Sequence, residues 1–267
     1  MAANPIALQV PGLPAACYLQ VHGSEDRYVS HQLRENGIWE PFETEVLLQT
    51  LKPDSVFLDV GANLGYFSVV VGACLGSAGR VIAVEPEPNN ACLLRENLRL
   101  NGMESRVTVA ELAFSDCESS ASLYISRDNF GDHQLHDPGA GRPTVSIDCV
   151  RGADWLADHV TRLDLVKIDV QGSEFQAVAG LMPLLKTSLP ELHMLIELSP
   201  RSLRLAGHSG RELIELLSTL GLRFAIVDHL ESQLVATDAE ALARWCDNID
   251  TVPDDEGFMN IYLCPEL

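Results

Sequence analysis

Positive charge is scarce in this sequence. Lys and Arg total 18 and Asp and Glu total 38 among 267 residues, which gives a formal net charge of −20 at pH 7. Such a surface repels the phosphates of nucleic acids and of anionic lipids, so we expect neither nucleic acid nor membrane as a partner. No apolar run approaches the roughly 18 residues of a spanning helix, and the first residues lack the basic and apolar regions of a secretory signal. We therefore expect a cytoplasmic protein.

Closely spaced cysteine pairs are also missing. The seven cysteines are scattered along the chain without a CxxC spacing, and several lie in apolar runs. This pattern is typical of reduced, mostly buried thiols rather than of a disulfide framework. The hydrophobic fraction of 46% and the charged fraction of 21% are those of an ordinary globular protein, which excludes disorder and collagen-like structure.

From residue 40 onward, short apolar runs alternate with amphipathic segments. The predicted strands are 56–60, 81–84, 107–112, 121–125, 144–150, 165–170, 194–198, 224–227 and 260–264. The predicted helices are 43–51, 66–75, one capped by Asn89 or Asn90 and ending at Asn101-Gly102, 174–181 and 211–220. This alternation indicates a doubly wound, mostly parallel α/β sheet. We predict one domain over 41–267 and an irregular N-terminal extension over 1–40, with Trp39 as its aromatic anchor, that could cover a substrate.

The first strand ends in the most informative segment, VFLDVGANLGYFS at 56–68. Ligands of open parallel sheets bind at such strand-to-helix turns. Gly61 and Gly65 leave the backbone free of side chains that would block a ligand. Asp59 ends the strand, and Glu85 ends the next one, where a carboxylate can accept hydrogen bonds from both hydroxyls of a ribose.

The same segment lacks two phosphate-binding patterns. Neither GxGxxG nor a GK[ST] loop occurs in it, and the carboxylate of Asp59 would face a pyrophosphate where helix amides are wanted. A ligand with a ribose and an ammonium group but no phosphate suits the turn better. S-adenosyl-L-methionine is such a ligand.

Several segments together resemble the FkbM family of class I S-adenosylmethionine-dependent methyltransferases. They are DVGANLGYFS, VEPEP, ELAFSD, LVKIDVQGSEF and LIELSP, which run from residue 59 to residue 200. The resemblance implies a Rossmann-like sheet of seven strands, with the last strand antiparallel and the cofactor over the ends of the first strands. This sequence has Gln171 where the family usually has Glu, which puts any role of a carboxylate at that position in doubt.

The resemblance also assigns residues to the cofactor. The methionine part would lie at Asp59, Gly61, Asn63 and Gly65, the ribose at Glu85 with Pro86 beside it, and the adenine next to Leu112, Ala113 and Asp116.

Candidate residues for the acceptor lie at the ends of later strands and in one loop. Methyl transfer to a hydroxyl or an amide benefits from a base that takes the proton. Asp169 and Glu174, which the resemblance also favours, and His133 are the candidate catalytic residues. Asn129, Asp132 and Glu197 are the candidate substrate contacts. Alternatives remain: Glu174 could stabilise a helix N-terminus, Glu197 could be a solvated strand end, and the loop could be polar surface.

A metal is not expected. His133 and His136 with Asp132 and Asp137 have suitable side chains, but no helix or strand fixes them as ligands.

The leading hypothesis is methyl transfer to a hydroxyl of a small natural product or sugar. The alternative is N-methylation of a side-chain amide, such as asparagine, in a modified peptide. A nicotinamide-dependent oxidoreductase and a non-catalytic nucleoside-binding module are the alternatives from other classes.

The acidic segment 228–256, with nine Asp or Glu and one Arg, is either a solvated face or a lid that favours a neutral or cationic acceptor. The apolar residues of 1–40 could pack on this chain or on a second copy, which leaves the oligomeric state open.

Overall fold

A computed structural model describes residues 4–139, 141–252 and 255–267. The strands are β1 Ile6–Ala7, β2 Tyr18–Leu19, β3 Val56–Val60, β4 Arg80–Val84, β5 Val107–Ala110, β6 Ala113–Ser115, β7 Ser119–Tyr124, β8 Thr144–Arg151, β9 Leu165–Ile168, β10 His193–Leu198, β11 Arg223–Asp228, β12 Gln233–Thr237 and β13 Met259–Cys264. The helices are α1 Val29–Asn36, α2 Pro41–Thr50, α3 Tyr66–Cys74, α4 Pro88–Leu100, α5 Gly152–Leu156, α6 Glu174–Thr187, α7 Pro200–Leu205, α8 Gly210–Ser218 and α9 Ala239–Asp250.

The main sheet has the order β12-β11-β13-β10-β9-β3-β4-β5. Strands β5, β4, β3, β9 and β10 are parallel, whereas β13 is antiparallel to both of its neighbours. The chain leaves β3 toward β4 and later returns to its other side as β9, so the strand order reverses between β3 and β9. Ligands of open α/β sheets bind at this switch point. The predicted doubly wound sheet of seven strands is confirmed, and β12 adds an eighth, antiparallel edge strand.

Both faces of the sheet are covered, and the strands alternate between two cores. Leu58 and Val166 belong to the core under α6 and α8, while Phe57 and Leu165 belong to the core under α3 and α4. Side chains two apart on a strand share a face. The polar residues at 59 and 167 therefore lie on the α3 face, deep in an apolar layer.

The described part of the N-terminal extension is ordered, which corrects the expectation that 1–40 is irregular. It forms the β1–β2 pair and the eight-residue helix α1. Leu19, Val29 and Leu33 join the core on the α3 face. The helix was missed because its apolar stripe is only two residues long and depends on that core for its burial.

Two further corrections concern boundaries. Helix α4 is capped by Glu87, whose side chain accepts from the Asn90 N–H at 2.7 Å, and not by Asn89 or Asn90. Pro88 marks the first helical position, so the cap must precede it. The third predicted strand ends at Ala110, and the chain then enters a smaller sheet of order β6-β8-β7.

The acidic segment 228–256 contains β12 and α9. Leu242, Ala243 and Cys246 of α9 are buried in the core, while Arg211 of α8 pairs with Asp247 at 2.5 Å. Part of the acidic charge is thus paired across the α8–α9 contact. Across the described chain, helices fall short of the length and apolar character needed to cross a membrane.

Candidate active site

A cavity of about 580 Å³ opens at the carboxyl ends of the parallel strands, beside the switch point between β3 and β9. Its walls come from the turn after β3, the end of β4, the loop 126–139, the segments after β9 and β10, the N-terminal extension and the segment before β13. The residues from the sequence-based assignment that line it are Gly61, Asn63, Glu85, Pro86, Ala113, Asn129, Asp132, His133, Asp169 and Glu197. Asp59, Gly65, Leu112, Asp116 and Glu174 do not line it.

The two glycines of the first turn are required by the protein itself. A Cβ on Gly61 would lie 1.9 Å from the backbone oxygen of Asp169, and a Cβ on Gly65 would lie 2.4 Å from Leu94. Both have positive φ, at 87° and 92°, which is the glycine region. A side chain at either position would therefore clash with the protein itself, whether or not a ligand is bound. The backbone of Gly61 nevertheless lines the cavity.

Asn63 ties three parts of the cavity wall together. Its backbone N–H donates to Glu85 Oε2 at 2.7 Å, and its side chain donates to the Phe130 carbonyl at 3.2 Å. It adopts a left-handed conformation with φ of 51°, which Asn tolerates better than most residues. The turn after β3, the end of β4 and the loop 126–139 are thus held in a fixed arrangement.

Glu85 is buried at the end of β4, and each of its carboxylate oxygens accepts one backbone N–H. Oε1 accepts from Glu87 at 2.9 Å and Oε2 from Asn63 at 2.7 Å. Burial raises the pKa of Glu85 to about 7, and these amide donors oppose the rise. A carboxylate has about four acceptor positions, so two remain for hydroxyl groups of a ligand.

Asp59 and Lys167 lie opposite each other on β3 and β9. They are 1% and 4% exposed, and the Lys167 ammonium lies 4.7 Å from the ring centre of Phe67. Ser68 donates to Asp59 Oδ2 at 2.7 Å, while Oδ1 is buried without a hydrogen-bond partner among the described residues. Burial raises the pKa of Asp59, and the charge of Lys167 opposes this rise.

Asp169 directly follows β9, Glu197 is the second-to-last residue of β10, and Gln171 joins the two. The Gln171 amide nitrogen donates to Asp169 Oδ1 and to Glu197 Oε2, both at 2.7 Å. Lys167 also donates to Asp169, at 2.9 Å. The pKa of Asp169 is lowered, since Lys167 and Gln171 together outweigh the opposing effect of burial. An ionised carboxylate of such low basicity is better suited to orienting a donor than to removing its proton.

Glu174 holds its own turn instead of facing the cavity. It is fully buried and accepts the backbone N–H of Val170 at 3.0 Å and of Gly172 at 3.0 Å. Burial raises its pKa to about 7. The geometry supports the alternative of a helix N-terminal acid, because the carboxylate stabilises the entry to α6. Leu112 is half-buried, Asp116 is exposed, and neither lines the cavity.

The loop 126–139 closes one side of the cavity. His133 Nδ1 accepts the Ser126 N–H at 3.1 Å, so the neutral ring carries its proton on Nε2. Burial lowers the pKa of His133, which favours this neutral form. His133 is thus arranged as a hydrogen-bond donor and not as the base that its position in the sequence indicated. Asp132 pairs with Arg142 at 2.5 Å, and Asn129 accepts the Gly131 N–H at 3.1 Å.

No group of three or more His, Cys, Asp or Glu side chains within residues 4–139, 141–252 and 255–267 is arranged to hold a metal ion.

Sequence reasoning missed the role of three residues at the cavity. Lys167 stands inside a strand whose neighbours are all apolar, and such a lysine needs buried carboxylates as partners. Glu40 and Trp39 both line the cavity, but Glu40 was used only to mark where the regular pattern begins and Trp39 only as an aromatic anchor. Glu40 has φ of 42° directly before a proline, a conformation that could not be predicted from the sequence.

The donor and acceptor groups fit S-adenosylmethionine. Glu85 retains two acceptor positions for ribose hydroxyls, the backbone of Gly61 lines the cavity at the turn after β3, and Ala113, Phe114 and Leu123 give the cavity an apolar end.

Comparison with known proteins agrees with this chemistry. The family described as the Methyltransferase FkbM domain matches residues 59–224, more than half of the chain. No curated protein is significantly similar to the chain.

Solved structures with a similar fold include an FkbM methyltransferase from Methylobacillus flagellatus, with 16% identity, a TM-score of 0.46 and coverage of 80% of this chain and 44% of that chain. This chain thus spans less than half of that protein. An O-methyltransferase from Thermotoga maritima has 14% identity, a TM-score of 0.46 and coverage of 94% and 74%. Aeropyrum pernix fibrillarin with bound S-adenosyl-L-methionine has 16% identity, a TM-score of 0.44 and coverage of 83% and 73%. On the family match, the chain belongs to the FkbM methyltransferase domain family, whose members are S-adenosylmethionine-dependent methyltransferases.

Proposed function

We propose that the protein transfers the methyl group of S-adenosylmethionine to a hydroxyl of a small natural product or sugar. The observation that carries the proposal is a single cavity that contains both the Glu85 and Asn63 end and the Asp169 and Glu197 end. A volume of about 580 Å³ is within the usual range for small-molecule sites. Family membership decides against the nicotinamide-dependent oxidoreductase and the non-catalytic module.

Each end of the cavity has a distinct task in this proposal. Glu85 accepts the ribose hydroxyls, and the backbone at Gly61 receives the methionine part, while Asp59 is buried in the strand that precedes this turn. When bound, the cofactor supplies a methyl group on a positively charged sulfur. The chain's residues then hold the acceptor in line with that group, which is the main contribution that a displacement of this kind needs from an enzyme.

Asp169 and Glu197 orient the acceptor in this proposal. Both are joined to Gln171 and both face the cavity. The Asp169 carboxylate, held ionised by Lys167, accepts a hydrogen bond from the acceptor hydroxyl and fixes the direction of its oxygen lone pairs. It takes up the hydroxyl proton once the oxygen carries the methyl group. His133 donates through Nε2 from the opposite wall.

We also infer that the N-terminal extension covers the substrate cavity. Tyr28, Val29 and Trp39 line the cavity, and Tyr28 is 55% exposed. Val29 is part of the core, so deletion of the segment would also remove core packing. Substitution of Tyr28 by alanine is the cleaner test, because Tyr28 lines the cavity without belonging to the core. It should weaken ligand binding without lowering the free energy of unfolding.

An acceptor screen tests the proposed function. The protein is incubated with S-adenosylmethionine and either hydroxyl compounds, such as sugars and polyols, or asparagine-containing peptides. S-adenosylhomocysteine and methylated products are then measured by mass spectrometry. Asp169→Asn should lower turnover more than cofactor affinity, while Glu104→Gln, an exposed control, should change neither.

The proposal expects an O-methylated product. A product methylated only on the asparagine amide would show that the acceptor is a side-chain amide and not a hydroxyl. A protein that binds the cofactor and methylates neither class contradicts the proposed acceptor.

A further inference from the structure

Phe258 combines a place in the cavity wall with exposure to water. It lines the cavity, yet the residue is 60% exposed. Among the described Phe, Tyr and Trp residues, the other exposed ones are Tyr18 and Tyr28, which both carry a hydroxyl. A single apolar side chain on a surface is ordinary, whereas apolar surface that continues a ligand cavity indicates a contact with the ligand.

The register of the sheet places Phe258 beside the acceptor end of the cavity. Glu197 of β10 lies opposite Asn260 of β13, and opposite residues of an antiparallel pair share a face. Phe258 is two residues before Asn260, so its side chain lies on that same face, one step beyond Glu197. Ser199, two residues after Glu197, also lines the cavity. The cavity wall therefore continues from Glu197 outward to Ser199 and Phe258.

The chain around Phe258 fixes the position of its ring. Directly before it, Asp255 accepts the Gly257 N–H at 2.8 Å, and Glu256 forms an ion pair with Arg201 of α7. Strand β13 begins with the residue directly after it. The ring is thus held at the edge of the sheet by a turn on one side and a strand on the other.

A second aromatic residue belongs to the same end of the cavity. Trp39 lines the cavity just before α2, and its carbonyl accepts the Thr44 hydroxyl at 2.9 Å. Glu43 of α2 accepts a side-chain N–H of Asn260, so the start of α2 lies over the face of β13 that also carries Phe258. The acceptor end therefore combines carboxylates close to the reacting position with aromatic surface farther out.

We propose that the methyl acceptor carries an apolar group, an aryl ring or an alkyl chain, that packs against Phe258 while its hydroxyl reaches Asp169 and Glu197. An apolar group on Phe258 removes the surface of both partners from water, whereas a free sugar or polyol would leave the ring exposed. This inference rests on the proposed function, and it narrows the acceptor to a hydroxyl compound with one apolar end.

Phe258 can be replaced without disturbing the fold. Its side chain belongs to none of the three apolar clusters of the described chain. Phe258→Ala therefore removes the ring and keeps the core packing, and Phe258→Tyr keeps the ring. Leu230→Ala is the matched control, because Leu230 is 94% exposed and does not line the cavity.

The experiment uses the whole protein saturated with S-adenosylhomocysteine, so that the cofactor end of the cavity is already filled. Benzyl alcohol and ethanol, which share a CH2OH group and differ in phenyl against methyl, are titrated by ligand-observed NMR. We expect benzyl alcohol to bind at least about tenfold more tightly than ethanol. Phe258→Ala should weaken benzyl alcohol about fivefold, the factor expected of one aromatic contact, while Phe258→Tyr and Leu230→Ala should preserve its affinity.

Equal affinities for benzyl alcohol and ethanol, or no binding of benzyl alcohol, would overturn the inference. An affinity for benzyl alcohol that Phe258→Ala leaves unchanged would also overturn it, because the phenyl group would then bind elsewhere. A loss that Leu230→Ala reproduces would have the same meaning. Saturation with S-adenosylhomocysteine is measured first, so failure of that step counts against the proposed function and failure of the later step against the apolar group alone.

Discussion

Glu85 shows how one side chain can serve both the fold and a ligand. Its two oxygens fix the turn after β3 and the start of α4 through the backbone N–H groups of Asn63 and Glu87. The remaining acceptor positions face the cavity, where the proposed ribose would donate to them. Burial raises its pKa to about 7, and the hydroxyl donors of a bound ligand would favour its ionised form.

Glu85→Gln should lower the affinity for S-adenosylmethionine at least tenfold, measured by isothermal titration. The amide keeps the size of the side chain but turns one acceptor into a donor, which then faces a backbone N–H or a ribose hydroxyl. Glu87→Gln is the matched control on the same turn. It should cost about 1 kcal/mol of stability through the weakened cap of α4 and leave the affinity unchanged. Equal affinities of Glu85→Gln and the wild type would place the ribose elsewhere.

The loop 126–139 is an element held by side chains far away in sequence. Asn63 and Asn90 both donate to the Phe130 carbonyl, at 3.2 and 3.1 Å, and Asp26 accepts the Phe130 N–H at 3.3 Å. The loop therefore depends on the turn after β3, on α4 and on the N-terminal extension for its position over the cavity.

Asn63→Gly should loosen this loop while preserving the turn. Glycine accepts the positive φ of position 63 but has no amide to donate to Phe130. We expect amide exchange in 126–135 to become roughly fivefold faster, as the loss of one hydrogen bond of about 1 kcal/mol implies. Ser232→Gly, at an exposed position with φ of 48°, is the control and should leave that exchange unchanged. Unaltered exchange in Asn63→Gly would show that Asn63 does not hold the loop.

The elements were predictable from sequence where their apolar pattern is complete. The predicted strand 56–60 has the bounds of β3, and the other predicted strands differ from the observed ones by one or two residues at an end, whereas β1, β2, β6 and β12 were not predicted. Helix α1 was missed because only two of its residues are apolar, and α9 was missed because its segment was interpreted from its acidic residues although its apolar residues form a buried stripe. The turn after β3 and Glu85 were also identified from the sequence as candidate ligand contacts. The contact of Lys167 with Asp59 could not be predicted, because it depends on the register of β3 and β9.

The molecule as a whole keeps several carboxyl groups in its interior. Burial raises the pKa of Glu85 and of Glu174 from 4.5 to about 7. Between pH 4.5 and pH 7 the folded protein therefore binds more protons at these two groups than the unfolded chain does. Stability is then fully present below pH 4.5 for these groups and is lost as the pH rises through 7. Asp169, whose pKa is lowered, contributes in the opposite direction only at more acidic pH.

The free energy of unfolding of the ligand-free protein should therefore fall by at least about 2 kcal/mol between pH 5 and pH 8. Urea denaturation at fixed ionic strength measures it. Glu174→Gln should flatten this dependence, because the amide has no proton to lose, even though the variant is less stable at pH 5. A stability that is constant or rises over this range would contradict the assignment of these two groups as protonated interior carboxyls.

The central claim is that the cavity beside β3 and β9 is an S-adenosylmethionine site. Isothermal titration of the purified protein with S-adenosylmethionine, with NADH as the comparison ligand, tests it most directly. We expect one site with an affinity in the micromolar range for S-adenosylmethionine, lost in Glu85→Gln, and no binding of NADH. Binding of NADH without binding of S-adenosylmethionine, or cofactor binding that Glu85→Gln leaves intact, would contradict the account.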